Sequence, residues 1–317
     1  MTGLFGDVDV VLEWIDLLEQ QLGHCALSRV GLAALAEQRL TQGNRRRVGA
    51  VDGIRRVRYT SPHPKDLRPE TIAAMGVKSV VAFAENTDYG IGQAKLLAEF
   101  IKQKAPGVDY KYETLDRAGK DFTPAVLALR ANPPDMVINV MLPPAAYILM
   151  NQLYEQGVAP SAKTWSYDGA GLADYPDFWQ NVKEAGKGLI SFGLYHPNMD
   201  IPPIGKQVAA EYTKRAKAEP NRLIFQAADS LLLVVDAIKQ AKSTDPKALV
   251  ATLQKIKFSG VRGPLTFSSD PGYSFQQWVD VPYVNYQLTE VNQPVSKSNL
   301  IQGPGQSLDV NKLQKPK

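Results

Sequence analysis

The strongest constraint on how this chain can fold is a rhythm, together with the place where the rhythm stops. From Val77, VKSVVAF reads as a buried strand, and Ile91, Ala94, Leu97, Ala98 and Ile101 form a helical stripe. DYKYETL alternates as a strand, and DFTPAVLALRA offers Thr123 as N-cap with Pro124 at the first helical position. DMVINVML is a buried strand, AAYILMNQLYEQG a helix closed by Gly157, and KTWSYD and GLISFGLY are two further strands. Strands alternating with helices imply a parallel, doubly wound sheet with right-handed connections. After His196 three helical segments follow with no strand between them: IGKQVAAEYTKRAKA, FQAADSLLLVVDAIKQAK and, opened by Asp245-Pro246, DPKALVATLQKI. The middle one places Ala227, Leu231, Val234, Val235, Ile238 and Ala241 on one broad apolar side that has to be buried. GPLTFSSD and VDVPYVNYQLTEV then read as a paired strand and a longer one. The tail from Gln302, rich in Gly, Pro, Gln and Lys, reads as a loose terminus.

With 317 residues the chain is long enough for two lobes, each with its own core. A net charge of +4 names no partner, and no aromatic-interleaved basic stripe occurs beyond the first sixty residues, which argues against nucleic-acid binding. The single Cys25 excludes an intramolecular disulfide and any multi-cysteine metal site, and a buried thiol is its plain reading. The amino terminus is acidic and interrupts its apolar residues with Asp9, Glu13 and Asp16, unlike a secretory signal. No apolar run reaches the roughly eighteen to twenty residues of a membrane span.

A seam lies near Tyr59. Up to Arg58 every basic side chain is arginine, whereas lysine predominates beyond it. Residues 1–58 contain two expected helices, VDVVLEWIDLLEQQL and LSRVGLAALAEQRL, and no strand–helix alternation. They read either as a small Arg-rich helical piece or as a segment of different origin, such as a fusion or a shifted reading frame.

From about Tyr59 to about Ile301 the chain resembles a solute-binding protein of the branched-chain amino acid (leucine-binding) type, the receptor component of ABC importers. The matching pieces are TSP at Thr60–Pro62, NTDYGIG at Asn86–Gly92, YDG at Tyr167–Gly169, the helix AADSLLLVVDAI, and FSGVRGPLTF at Phe258–Phe267. Each is weak alone, and their order and spacing carry the likeness. The resemblance implies an α/β protein of the periplasmic-binding-protein type I class, with two lobes of parallel sheet flanked by helices. A small ligand would be clamped between the lobes and the closed form presented to a membrane permease. On this reading residues 1–58 are an atypical segment, 59–76 lead into the second lobe, and 77–198 form that lobe. Residues 199–270 return to the first lobe, which is expected to be incomplete, and 271–317 hold a hinge-crossing strand and the tail. The resemblance implies a periplasmic location, while the amino terminus as written offers no export signal, which leaves the cytoplasm as the alternative. A shortened first lobe would leave the helix around Leu231 partly uncovered, favouring association, and would weaken ligand binding.

The resemblance makes Tyr89 a wall of the cleft, stacking on or hydrogen-bonding to the ligand, while Gly90 and Gly92 permit the tight turn into the helix. The plain alternative packs Tyr89 at the helix start. Leu142 and Pro143 correspond to positions that line the cleft. Asp168 is the acid that would meet a ligand ammonium, or else an Asp capping the turn before Gly169. Trp165 and Trp179 are expected in core packing or at the hinge rather than on a ligand.

Enzymatic signatures are weak. GIGQAK lacks the third glycine of GxGxxG, and Lys95 is not in a GxxxxGK[ST] setting. His24, His63 and His196 have no partners at metal spacing, no GxSxG elbow occurs, and Asp174 and Asp177 read as solvated loop acids. The expected function is capture of an amino acid or related small acid or amide, without chemistry and without cofactor or metal. A Rossmann-like nucleotide enzyme and an inert truncated product are the alternatives.

Overall fold

The computed structural model describes residues 69–271, 275–278 and 280–316. The two helices expected within residues 1–58, Cys25, His24 and His63 lie outside the described residues.

The alternating region forms the five expected strands and three expected helices, together with two short helices that were not expected: α1 (Pro69–Ala74), β1 (Ser79–Glu85), α2 (Asp88–Lys104), β2 (Asp109–Leu115), α3 (Thr123–Arg130), β3 (Met136–Val140), α4 (Ala145–Glu155), β4 (Trp165–Asp168), α5 (Phe178–Val182) and β5 (Ile190–Gly193). The two that were not expected are α1 and α5. Then come α6 (Pro203–Ala216), α7 (Arg222–Ala241), α8 (Pro246–Leu253), the short strands β6 (Phe258–Ser259) and β7 (Pro264–Leu265), and finally β8 (Val284–Gln287) and β9 (Asn299–Gln302).

One sheet organises the first of two compact units, which runs to Met199 and resumes at Pro282. Its strand order is β2-β1-β3-β4-β5-β8-β9. The first five strands are parallel, and β8 pairs antiparallel with both β5 and β9. The chain is thus mixed α/β with a mainly parallel sheet. Strand β3 is buried along its whole length, as expected of a parallel strand covered on both faces. On one face Val80, Ala82, Ala84, Ile138 and Tyr167 pack with Ile72 of α1 and with Ala94 and Ile101 of α2. On the other, Phe83 and Val137 pack with Val126 of α3, Leu149 and Leu153 of α4 and Phe178 of α5. Successive strand side chains point to opposite faces, and the two cores follow from that alternation.

Three local expectations are corrected. Helix α3 begins at Thr123 itself, with Phe122 as N-cap and no side-chain cap bond; the Asp121 carboxylate instead accepts the Thr123 amide at 2.9 Å. The stretch after Gln302 is not a loose terminus. Leu308 and Leu313 pack on the core, Gln287 and Gln314 exchange two hydrogen bonds of 2.8 and 2.9 Å, and the Lys315 ammonium lies 4.4 Å from the centre of the Trp165 ring. Strand β9 falls where only the margin of that tail was expected.

The second unit includes Asp200–Val281. Asn221 and Asp245 cap α7 and α8 through their side chains, each accepting two backbone amides. Leu233 and Ala237 of α7 meet Ile256 and Leu265, with Leu249, Phe258 and Trp278 around them. The buried side of α7 consists of Phe225, Ala228, Asp229, Leu233 and Ala237. The expected stripe lies beside it: Leu231, Val235 and Ile238 are half-buried, and Val234 is 42 % exposed. Asp229 sets this phase. Its Oδ2 meets Arg262 Nε at 2.7 Å and its Oδ1 accepts the Val261 amide at 2.6 Å, with both side chains out of solvent. The sequence pieces AADS and GVRG are therefore locked together. The Arg262 guanidinium also sits 4.9 Å from the Trp278 ring centre.

Candidate functional site

In the strand order β2-β1-β3 the connection from β2 to β3 passes over β1, so the direction in which successive strands are added reverses between β1 and β3, although the two strands run parallel. Open α/β sheets bind ligands beyond the carboxyl ends of their strands at such a switch point, because the loops there leave to opposite faces and open a crevice. Here the loop after β1 leads to α2, on the face of Ala82 and Ala84, whereas the loop after β3 leads to α4, on the face of Phe83. Tyr89 lies in the first turn of α2, and Leu142 and Pro143 lie directly before α4. These three expected contact residues thus lie beyond the carboxyl ends of neighbouring strands and are half-buried, Tyr89 packing against the core on the α2 face and Leu142 against the core on the α4 face.

The β1 loop is built tightly. The Asn86 amide donates to Leu115 O at 2.9 Å, and Asn86 Oδ1 accepts the Arg117 amide at 3.0 Å, fixing the loop to the end of β2. Thr87, in extended conformation, caps α2 by accepting the Gly90 amide at 3.3 Å. A Cβ on Gly90 would lie 2.7 Å from Glu85 N and 2.8 Å from Glu85 Cγ, so only glycine lets the helix sit so low on the strand end. Gly92 has open space around it, so the turn requires Gly90 and not Gly92.

Glu85, which sequence reasoning passed over, lies at the centre of this arrangement and is 1 % exposed. Its Oε1 accepts the Thr87 hydroxyl at 2.8 Å and its Oε2 accepts the Leu142 amide at 2.9 Å. Asn139 does similar work beneath the β3 loop: Nδ2 donates to Ala146 O at 3.1 Å and Oδ1 accepts the Met141 amide at 3.1 Å. The available signal was a polar residue inside an apolar run, Glu85 in VVAFAE and Asn139 in MVINV, which only a buried partner can stabilise.

Asp168 ends β4 and is fully buried. Its Oδ1 accepts the Ala170 amide at 2.9 Å, and its Oδ2 accepts the amide of Leu172 and the Ser191 hydroxyl, the latter at 2.7 Å. This is the geometry of the turn-capping alternative: the carboxyl organises the loop after β4 and ties it to β5. Trp165 is core, and Trp179 donates its indole N–H to Gln293 O at 3.0 Å. Asp174 is buried rather than solvated, while exposed Asp177 accepts the Tyr147 hydroxyl at 2.9 Å. Burial, and then that hydrogen bond and the nearby carboxylate charge, push the Tyr147 phenol well above its ordinary range. His196 is buried and accepts the Asn198 amide at Nδ1, which leaves Nε2 to donate to Ser298 Oγ at 3.0 Å. Among the described residues no cluster of three or more His, Cys, Asp or Glu could hold a metal ion, and no helix is long and apolar enough to cross a membrane.

A family model described as periplasmic binding protein matches residues 59–279, most of the chain. The chain belongs to the periplasmic binding protein family. Among solved structures, this family member is similar to a leucine binding protein from Thermotoga maritima MSB8, at 23 % identity over 69 % of this chain and 62 % of that one, with a TM-score of 0.60. It is also similar to an ABC transporter solute binding protein from R. palustris in complex with benzoate, at 16 % identity over 76 % of this chain and 62 % of that one, with a TM-score of 0.57. At these identities the likeness is one of fold, and the chain spans a little under two thirds of each structure's length. A 134-residue stretch is 32 % identical to the tRNA-2-methylthio-N(6)-dimethylallyladenosine synthase of Pelobacter propionicus, covering 41 % of this chain but only 27 % of that protein. No function is carried over from so partial a match.

Proposed function

We propose that this periplasmic binding protein is the substrate-binding component of an ABC importer, seating an amino acid or a related small acid or amide at the carboxyl edge of the seven-stranded sheet. One observation supports the reading: Tyr89 on one loop and Leu142 and Pro143 on the other follow the carboxyl ends of the adjacent parallel strands β1 and β3, where open sheets of this kind take their ligands. A phenol on one loop and an aliphatic and a prolyl side chain on the other suit a ligand with an apolar body, and either a leucine-type side chain or an aromatic ring meets that description. The solved relatives span that range, one being a leucine binding protein and another holding benzoate. Asp168 acts as the organiser of the third loop, its oxygens engaged by backbone amides and Ser191. The protein captures its ligand without chemistry and hands it to a membrane permease, in keeping with a periplasmic location.

Calorimetric titration with L-leucine, L-glutamine, benzoate and ATP tests this. Saturable binding of one of the first three, weakened by Tyr89→Ala, supports it. Binding of ATP alone would favour a nucleotide enzyme, and absence of all four interactions would favour an inert product.

A further inference from the structure

A buried acid beside a cleft invites assignment as a ligand group, yet both carboxyl oxygens of Glu85 are turned into the protein. Beyond Ala84 and Val140, the last paired residues of the β1–β3 ladder, no backbone hydrogen bond described for the two strands joins them, and their loops leave to opposite faces of the sheet. On its far side the β1 loop is held to β2 through the Asn86 amide. On its near side the Glu85 side chain ties it to the β3 loop, reaching Leu142 across 57 residues of sequence. Three contacts fix its rotamer: the Thr87 hydroxyl, the Leu142 amide and the first turn of α2, which packs on it at Gly90.

We propose that Glu85 is the positioning residue of the binding site, setting the separation of the Tyr89 loop and the Leu142–Pro143 loop without itself touching ligand. This rests on the switch point being the ligand site. The two loops then behave as one wall, because a single buried carboxyl holds the Leu142 amide on one side and the Thr87 cap of α2 on the other. Ligand affinity is governed through a residue one layer below the contact surface.

The test compares Glu85→Ala and Glu85→Gln with the unaltered chain, reading amide hydrogen exchange at Leu142 and Gly90 and the dissociation constants for L-leucine and benzoate. In Glu85→Ala the exchange of both amides rises about tenfold or more and affinity for the bound probe falls by a similar factor. Glu85→Gln restores both to within about threefold, since its oxygen still accepts from Leu142 and its NH2 donates to Thr87 Oγ1. Should the alanine variant fail to fold, Glu85→Asp, one methylene too short to span both loops, carries the same comparison with the same expected losses. The inference is overturned if the Leu142 amide is unaffected by the shortened side chains, or if Gln is as damaging as Ala. It is also overturned if affinity falls with no change in exchange, which would make Glu85 a ligand contact. If neither probe binds the unaltered chain, the ligand reading fails, while the exchange data still decide whether Glu85 couples the loops.

Discussion

Replacing Arg262 by methionine removes the counter-charge of Asp229 while filling nearly the same space. The two side chains are 2 % and 1 % exposed and meet at 2.7 Å. With an effective dielectric of about 20, unit charges at that separation attract by about 6 kcal/mol, most of which offsets the cost of taking both out of water. Removing one partner forfeits the attraction and leaves the other's desolvation in place, so Arg262→Met should cost about 3–5 kcal/mol. Replacing both, as Asp229→Leu with Arg262→Met, should fall much closer to the original stability. The pH dependence has a definite sign. Burial pushes the Asp229 carboxyl up, against the pull of Arg262 and of the amides of Val261 and Arg262. Without Arg262 the carboxyl moves further up. A carboxyl with a raised folded pKa takes up its proton more readily when folded, so stability is gained as pH falls through that value toward about 3.9, the unfolded value. The deficit of Arg262→Met should therefore be largest at neutral pH and shrink as the pH is lowered, as measured by urea unfolding followed by far-ultraviolet circular dichroism. A loss under about 1 kcal/mol, the size of an exposed pair, would refute the reasoning.

Gly90→Ala should destabilise the protein by about 1–3 kcal/mol, because its Cβ meets the Glu85 backbone rather than a movable side chain; thermal unfolding checks this, and a neutral effect would contradict the close approach. Asp135→Ala orphans the amides of Lys78 and Ser79, bound at 2.7 and 3.0 Å, and should cost about 1–2 kcal/mol at neutral pH. Although burial pushes the Asp135 carboxyl up, those amides, the Ser79 hydroxyl and Lys315 hold it below the ordinary range. The part of its stabilisation that depends on ionisation is therefore present above about pH 4 and lost as pH falls through the folded value, so the difference between Asp135→Ala and the original chain should shrink in acid.

The strands and helices of the alternating region were legible because their apolar periods are local properties of a few consecutive residues. Features fixed by distant partners were not. Helix α7 is apolar around much of its circumference, so its own sequence defines no unique buried phase; Asp229, which looks like an outward residue, is drawn inward by Arg262, 33 residues further on. Glu85 likewise reads as the polar end of a strand until Leu142 appears beside it. The tail looks loose because its anchors are two glutamines and a lysine over a tryptophan, not apolar periodicity. Strand β9, only Asn299–Gln302, is too short and polar to announce itself and exists through its pairing with β8. Of the expected site, the placement of Tyr89, Leu142 and Pro143 at one strand edge followed from the order of elements. The engagement of Asp168 by its own turn did not, since an acid before a glycine suits a cap and a ligand contact alike.

The central claim is that ligand sits at the carboxyl edge of the sheet, over the β1/β3 switch point. Amide chemical-shift mapping of the isotope-labelled protein during titration with L-leucine and with benzoate tests it most directly. The account predicts saturable shifts concentrated at Asn86–Gly92 and Leu142–Ala146, reached only at higher ligand concentration in Tyr89→Ala; shifts concentrated instead at Lys78, Lys163 and Gly188, at the opposite edge of the same sheet, would contradict it.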